Sequence, residues 1–272
     1  MKIAIFDPVN FEKYYANLAK DLCVDCVLQQ NELNNYDVIY SRYAIPDKLR
    51  NNKQCFAGYF PLDSGTIRSN SMSLAKNIGM PTMEWGICAN KDDVFGLFDK
   101  WRTDYIIFKE DNSHNCNKII FFKKNELEKL NINYNNGIFC EPVNMNNGDI
   151  YKIEGFDGEI ILSYLIECSS INDIDKNIIT GKDLNHRKNK TRKFFDPSDT
   201  ISNACKQFFS NMTKLGYGYI SLDLMKDENG NFKLIEYNQT DVAMWWTTQF
   251  EAYTKKYKFV LSSFFDRLKN GP

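Results

Sequence analysis

Tyr219-Ile-Ser-Leu-Asp-Leu-Met225, then Lys226-Asp-Glu-Asn-Gly-Asn231, then Phe232-Lys-Leu-Ile-Glu-Tyr-Asn238 read as two apolar strands around an Asn229-Gly230 step. Asn-Gly between such runs is the strongest short-range signal for a hairpin with a two-residue type I′ turn. A turn at Asn229-Gly230 places Asp223 directly opposite Glu236, with Asn238 two residues on and on the same face. Like charges directly opposed across a ladder, with side chains roughly 5 Å apart, are destabilising, so an otherwise apolar hairpin that keeps them is expected to use them together. Two carboxylates and an amide oxygen suit a hard cation such as Mg²⁺, which commonly arrives with phosphate groups. A solvated hairpin with polar residues on its outer face is the plainer alternative, and this stretch leaves both open.

The rest of the chain narrows the class. Its 272 residues are 43% hydrophobic, enough for a substantial core, and 34 Lys and Arg against 35 Asp and Glu give a net charge of −1. Near-neutrality argues against a protein that holds nucleic acid by counterion release. No apolar run approaches the roughly 20 residues that cross a bilayer, so a cytoplasmic protein without a membrane partner is expected. The eight cysteines are scattered and are expected to be reduced thiols. Cys23 and Cys26 form a C-x-x-C with no second pair, better read as strand residues than as a zinc site.

Upstream, strands and helices alternate as in a helix-covered parallel sheet. Lys2 to Phe6, Val24 to Leu28 and Val38 to Tyr40 read as strands, with a helix carrying Phe11, Tyr14, Tyr15, Leu18 and Leu22 between the first two. This layer has no G-x-G-x-x-G and therefore no dinucleotide fingerprint. Helices are predicted over Ser69 to Ile78, stopped by Gly79 and Pro81, and after Asn90, which can cap a stripe of Val94, Leu97, Phe98 and Trp101. Tyr105 to Lys109, Lys118 to Phe122 and Ile138 to Val143 read as strands. Ile150 to Phe156 and Glu159 to Glu167 flank an Asp157-Gly158 turn. Residues 168 to 195 show no period and read as a loop. Asp196 with Pro197 opens a helix carrying Ile201, Cys205, Phe208, Phe209, Met212 and Leu215, and a last helix carries Phe250, Tyr253, Tyr257, Val260, Leu261, Phe264 and Leu268.

From about residue 66 onward the chain resembles the ATP-grasp enzymes, of the carboxylate–amine ligase type that includes D-alanine:D-alanine ligase and ribosomal-protein glutamate ligases. Asp223 in Leu-Asp-Leu and the pair Glu236-x-Asn238 match the family's metal-binding residues. Lys109, closing Tyr-Ile-Ile-Phe-Lys, matches its phosphate-binding lysine, and Arg68, thirteen residues before Pro81, stands where related ligases carry an earlier one. A guanidinium supplies the same charge with more donors. Glu141 and Val143, in Ile-Phe-Cys-Glu-Pro-Val, look like the linker that holds adenine, and Asp149 is similar to the acid that follows it. The implied fold is mixed α/β, with a small Rossmann-like layer over residues 1–66 and an ATP-grasp domain over 67–272. Within that domain lie a lid subdomain over about 102–142 and a C-terminal antiparallel subdomain. The implied cofactors are ATP and Mg²⁺.

Two departures stand out. Residues 110 to 117 contain no glycine where the family's lid loop is usually glycine-rich, leaving Asn112, Ser113, His114 and Asn115 as side-chain donors. Gln239 to Trp246 replaces the Pro-Gly step that follows the metal-binding Asn in many ligases. Trp245 and Trp246 could line an acceptor pocket, with core or subunit-interface packing, as in a homodimer, the plainer reading.

Residues 182 to 193 carry Lys182, His186, Arg187, Lys188, Lys190, Arg192 and Lys193. A solvated loop is the simple account. By resemblance, Arg187 or Arg192 would face an acyl phosphate, with Lys152 a weaker candidate. The function implied is an ATP-dependent ligase joining a small-molecule or peptide carboxylate to an amine through an acyl phosphate. A phosphotransferase on the same site and a nucleotide-binding regulator without turnover are the alternatives.

Overall fold

The computed structural model describes residues 1–9, 14–50, 54–59, 68–111, 119–174, 176–180, 183–184, 188–238 and 250–271. Three sheets organise them. The first is parallel, in the order β2 (Asp25–Val27), β1 (Ile3–Phe6), β3 (Val38–Ala44), β4 (Gln54–Tyr59). The middle sheet is antiparallel, in the order β11 (Ile178–Thr180), β7 (Ile119–Lys123), β6 (Tyr105–Glu110), β8 (Gly137–Cys140), β5 (Trp85–Gly86). The C-terminal sheet, also antiparallel, runs β12 (Lys188–Phe194), β10 (Glu159–Cys168), β9 (Ile150–Phe156), β13 (Ile220–Lys226), β14 (Phe232–Asn238).

Among the described residues, these sheets are covered by α1 (Tyr14–Asp21), α2 (Asp47–Arg50), α3 (Arg68–Asn77), α4 (Lys91–Trp101), α5 (Asp199–Lys214) and α6 (Phe250–Asn270). Asn90 caps α4 as its position suggests, its side chain accepting the Asp93 N–H at 3.1 Å, and Val94 and Phe98 are buried against the middle sheet. Ile201, Cys205, Phe208 and Met212 of α5 pack on Ile153, Leu222 and Leu224, one face of the C-terminal sheet. Gly155 allows that approach: a Cβ there would lie 2.3 Å from the Phe209 ring. Tyr257, Leu261 and Phe265 of α6 fill the space between Ile5 and Tyr40 of the parallel sheet and Phe156 of the C-terminal one, with Tyr219 just before β13. β4 also meets the connection between α5 and β13 through the backbone, where the Ala57 N–H reaches the Gly216 carbonyl at 3.1 Å.

The β13–β14 hairpin differs in detail from its sequence reading. Gly230 alone takes a left-handed φ (+82°), and Asn229 does not. The Gly230 N–H bonds the Asp227 carbonyl (2.9 Å) and the Asp227 N–H bonds the Asn231 carbonyl (2.8 Å). This is a three-residue loop, a type I turn closed by a left-handed glycine, rather than a two-residue type I′ turn. It pairs Lys226 with Phe232, one position away from the expected register. A bulge at Ile235 then takes up one residue, and beyond it Asp223 faces Glu236 and Ser221 faces Asn238. The expected pairing at the site is present, reached by two shifts that cancel.

Other boundaries also move. Within residues 168 to 195, expected as loop, lie β11 and β12. Among the described residues Lys188–Phe194 pairs with β10 alone, and an edge strand needs no buried face, so its charges conceal it from a periodicity search. The helix expected at Asp196 begins at Asp199 with Ser198 as N-cap, and Leu215, expected inside, is 52% exposed at its end.

Candidate active site

On one face of the C-terminal sheet, cross-strand pairing lines up Lys152 (β9), Asp223 (β13) and Glu236 (β14) in a single row. The next row is Glu154, Ser221 and Asn238. Side chains two apart on a strand share a face, so the two rows form one polar surface. Lys152 Nζ is ion-paired with Asp223 Oδ1, and their side chains are 11% and 17% exposed. Burial works against the Lys152 ammonium, but Asp223, with Glu154 and Glu236 beyond it, outweighs burial and holds its pKa above the ordinary value.

Glu236 is reached from the other side. Arg68, the first residue of α3, places Nη1 3.0 Å from Glu236 Oε2 and Nε 3.0 Å from the Glu110 carbonyl, while its own N–H bonds Asp111 Oδ1 at 2.8 Å. Arg68 therefore ties the end of β6 to β14. Burial raises the Glu236 pKa, yet Arg68, then Lys109 and Lys152, more than offset it, and the net displacement is downward.

Lys109, 5% exposed on β6, donates to the Ile235 carbonyl at 3.0 Å, with Met83 Sδ 3.8 Å away. Ile235 is the bulged residue, so its carbonyl is displaced from the regular ladder with β13. Lys152, Arg68 and Lys109 thus face three carboxylates, Asp223 and Glu236 with Glu154 in the next row, so the charges balance and a polyphosphate anion would need to arrive with a cation of its own. The donor set of Asp223, Glu236 and Asn238 is all oxygen, and both acids sit in register, which fits a Mg²⁺ ion entering with such an anion.

Glu141 and Val143 follow β8 and line an open cleft of about 500 Å³ with Met83, Glu84 and Lys233. The Glu141 N–H is bonded to the Glu84 carbonyl (3.0 Å). Burial, then Glu84 and Glu228, raise the Glu141 pKa against the opposing Lys233. Val143, Met145 and Ile235 pack against Met83 and against Ile107 and Cys140 of the middle sheet, so an apolar slot adjoins the charged row. Asp149 is committed locally: its Oδ1 accepts the Cys168 N–H at 3.0 Å, and it does not line the cleft.

Arg192 lies on β12 opposite Ile166, with β10 and β9 between it and β13, a separation of about 14 Å at the usual strand spacing; its side chain is outside the described residues. Arg187, Lys182, His186, the segment Asn112 to Asn115, and Trp245 and Trp246 are also outside them. The structure therefore gathers Arg68, Lys109, Asp223, Glu236 and Asn238 along one seam and sets Glu141 and Val143 beside it. Sequence reasoning undervalued Lys152, because nothing in the β13–β14 hairpin tells which strand pairs with its other edge.

No protein-family model and no curated protein matches the sequence. Solved structures match over nearly the whole chain. A RiPP-associated ATP-grasp ligase from Chryseobacterium gregarium, solved with ADP and a leader and core peptide, superposes with a TM-score of 0.66 at 12% identity, over 100% of this chain and 97% of that one. The macrocyclase MdnC from Microcystis aeruginosa MRC, bound with its precursor peptide MdnA, gives 0.65 at 11%, over 97% and 100%. The D-cycloserine synthetase DcsG gives 0.63 at 10%, over 96% and 100%. At these identities the likeness is one of fold.

Proposed function

We propose that this chain, which has the ATP-grasp fold, is an ATP-dependent ligase that joins a carboxylate to an amine. The observation that carries the reading is the row of Asp223 and Glu236 flanked by Lys152, Arg68 and Lys109, at the seam between two antiparallel sheets. Such a seam binds a triphosphate together with its cation and provides fixed donors for the charge that develops during phosphoryl transfer.

In this reading Asp223, Glu236 and Asn238 hold Mg²⁺, which would neutralise phosphate oxygens. Lys109 and Arg68 bind the remaining phosphate charge, and Glu141 and Val143 hold the base, whereas Asp149, bonded to the Cys168 N–H outside that cleft, takes no part in this reading. The substrate carboxylate attacks the γ-phosphorus, breaking its bond to the bridging oxygen and releasing ADP. An amine then displaces phosphate from the acyl phosphate and forms the amide. Lys152, fixed beside Asp223, is a nearer cation for the acyl phosphate than Arg192, and Arg187 remains the loop candidate. No protein nucleophile is needed, since positioning and charge neutralisation supply the rate.

Peptide carboxylates come first among candidate substrates, because two of the structural neighbours were solved with peptides bound. The test is an ADP-release screen over peptide and small-molecule carboxylates paired with amines, in the presence of Mg²⁺, with mass analysis of products. Free phosphate with a new amide is expected. A phosphorylated acceptor would make the protein a kinase, and ATP binding without ADP release for any pair would contradict catalysis.

A further inference from the structure

Behind the β13–β14 hairpin lies a second cavity, of about 680 Å³. Tyr151 neighbours Lys152 on β9 and so points to the opposite face of the sheet from the charged row. On that face the Tyr151 ring meets Phe195 edge-on (centroids 5.3 Å apart) and Phe232 edge-on (5.0 Å). Lys226 Nζ stands over both Tyr151 and Phe232, 5.0 and 5.1 Å from their centroids. Among the described residues Lys226 has no carboxylate partner.

We propose that this cavity is a second ligand site, for a small molecule with an apolar ring and one anionic group. Its volume falls within the range of roughly 300–1,000 Å³ typical of small-molecule sites. Three aromatic rings form an apolar wall, and the ammonium of Lys226, desolvated on its ring side, supplies the counter-charge. Lys233 adds a second cation to the lining against one acid, Asp196. Lys233 also lines the cleft beside Glu141, so the hairpin is a wall common to both spaces. The inference rests on this cavity alone and does not require the ligase reading.

The test titrates the whole chain with 3-phenylpropionate, using 3-phenylpropanamide as the uncharged control, followed by ligand-observed NMR. The acid is expected to bind about tenfold more tightly than the amide. Lys226→Met, which keeps the stem over the rings and removes the charge, should bring the acid down to the amide's affinity. Ala204→Phe, which fills the cavity, should abolish both, and Asp223→Asn should change neither. No saturable binding of the acid, equal affinities for acid and amide, or an unchanged acid affinity in Lys226→Met would overturn the proposal. Should Ala204→Phe fail to fold, the Lys226→Met comparison decides alone.

Discussion

Lys109 Nζ lies 3.0 Å from the carbonyl oxygen of Ile235, the residue that bulges from β14. One side chain therefore joins the middle sheet to the C-terminal sheet at the irregularity that brings Asp223 and Glu236 into register. Removing its charge should affect both fold and binding. Lys109→Met keeps the apolar stem but withdraws the donor from a buried carbonyl, with an expected loss of about 1–2 kcal/mol in denaturant unfolding. Under the proposed function, kcat/KM for ATP should also fall by about two orders of magnitude or more, measured by ADP release.

The hairpin loop gives a test that uses no ligand. A type I′ turn would hold Asn229 in the left-handed region, whereas here only Gly230 is held there. Gly230→Ala should destabilise the protein by about 1 kcal/mol, and Asn229→Ala should change stability by less than about half of that. Equal losses at both positions in urea denaturation would restore the two-residue turn.

That contrast shows what the sequence could and could not tell. The sequence places Asp223 opposite Glu236 by way of a two-residue turn, and the pairing is present because the longer loop and the bulge at Ile235 cancel; which residues share a face is what apolar alternation makes legible. The loop type is not, because Asn-Gly suits a two-residue turn while Asp227, whose Oδ1 accepts the Asn229 and Asn231 N–H groups at 3.0 and 2.8 Å, favours a longer one. Asn90 was readable as a cap because its bond is local. Lys152 was harder to rank, since its meeting with Asp223 depends on β9 pairing with β13 from 71 residues away. The strand at Lys188–Phe194 escapes detection for the same reason: only its partner β10 reveals it.

Thiol chemistry should sort the cysteines by burial. Cys23 is exposed, whereas Cys88, Cys140 and Cys205 are buried. Burial pushes Cys88 up to about 11 and Cys205 up to about 12. Cys140 is also pushed to about 11 by burial, despite the opposing pull of Lys109 and Arg68. Native alkylation with iodoacetamide at pH 8 should label Cys23 and spare Cys88, Cys140 and Cys205 until denaturant is added, as read by peptide mass mapping.

Acid stability should depend on Asp183. Its carboxylate is ion-paired with Lys176 and accepts the Thr180 N–H (2.9 Å) and hydroxyl (2.8 Å), which together hold its pKa well below the ordinary carboxylate range. A group depressed on folding contributes stability above its unfolded pKa and loses it as pH falls toward the folded one. The contribution should therefore be complete above about pH 4 and decline below it. Asp183→Asn should flatten the fall in melting temperature below pH 4; an unchanged slope would assign the acid limb to other carboxylates.

Under the proposed function Asp223 and Glu236, brought opposite each other by the bulge at Ile235, hold the metal that accompanies ATP. Calorimetric titration of ATP into the protein with and without Mg²⁺, repeated for Asp223→Asn and Glu236→Gln, tests it most directly. The account predicts that Mg²⁺ tightens ATP binding at least tenfold in the unaltered chain and that either substitution removes the gain. Identical ATP affinity with and without Mg²⁺, or a full Mg²⁺ gain in both variants, would contradict it.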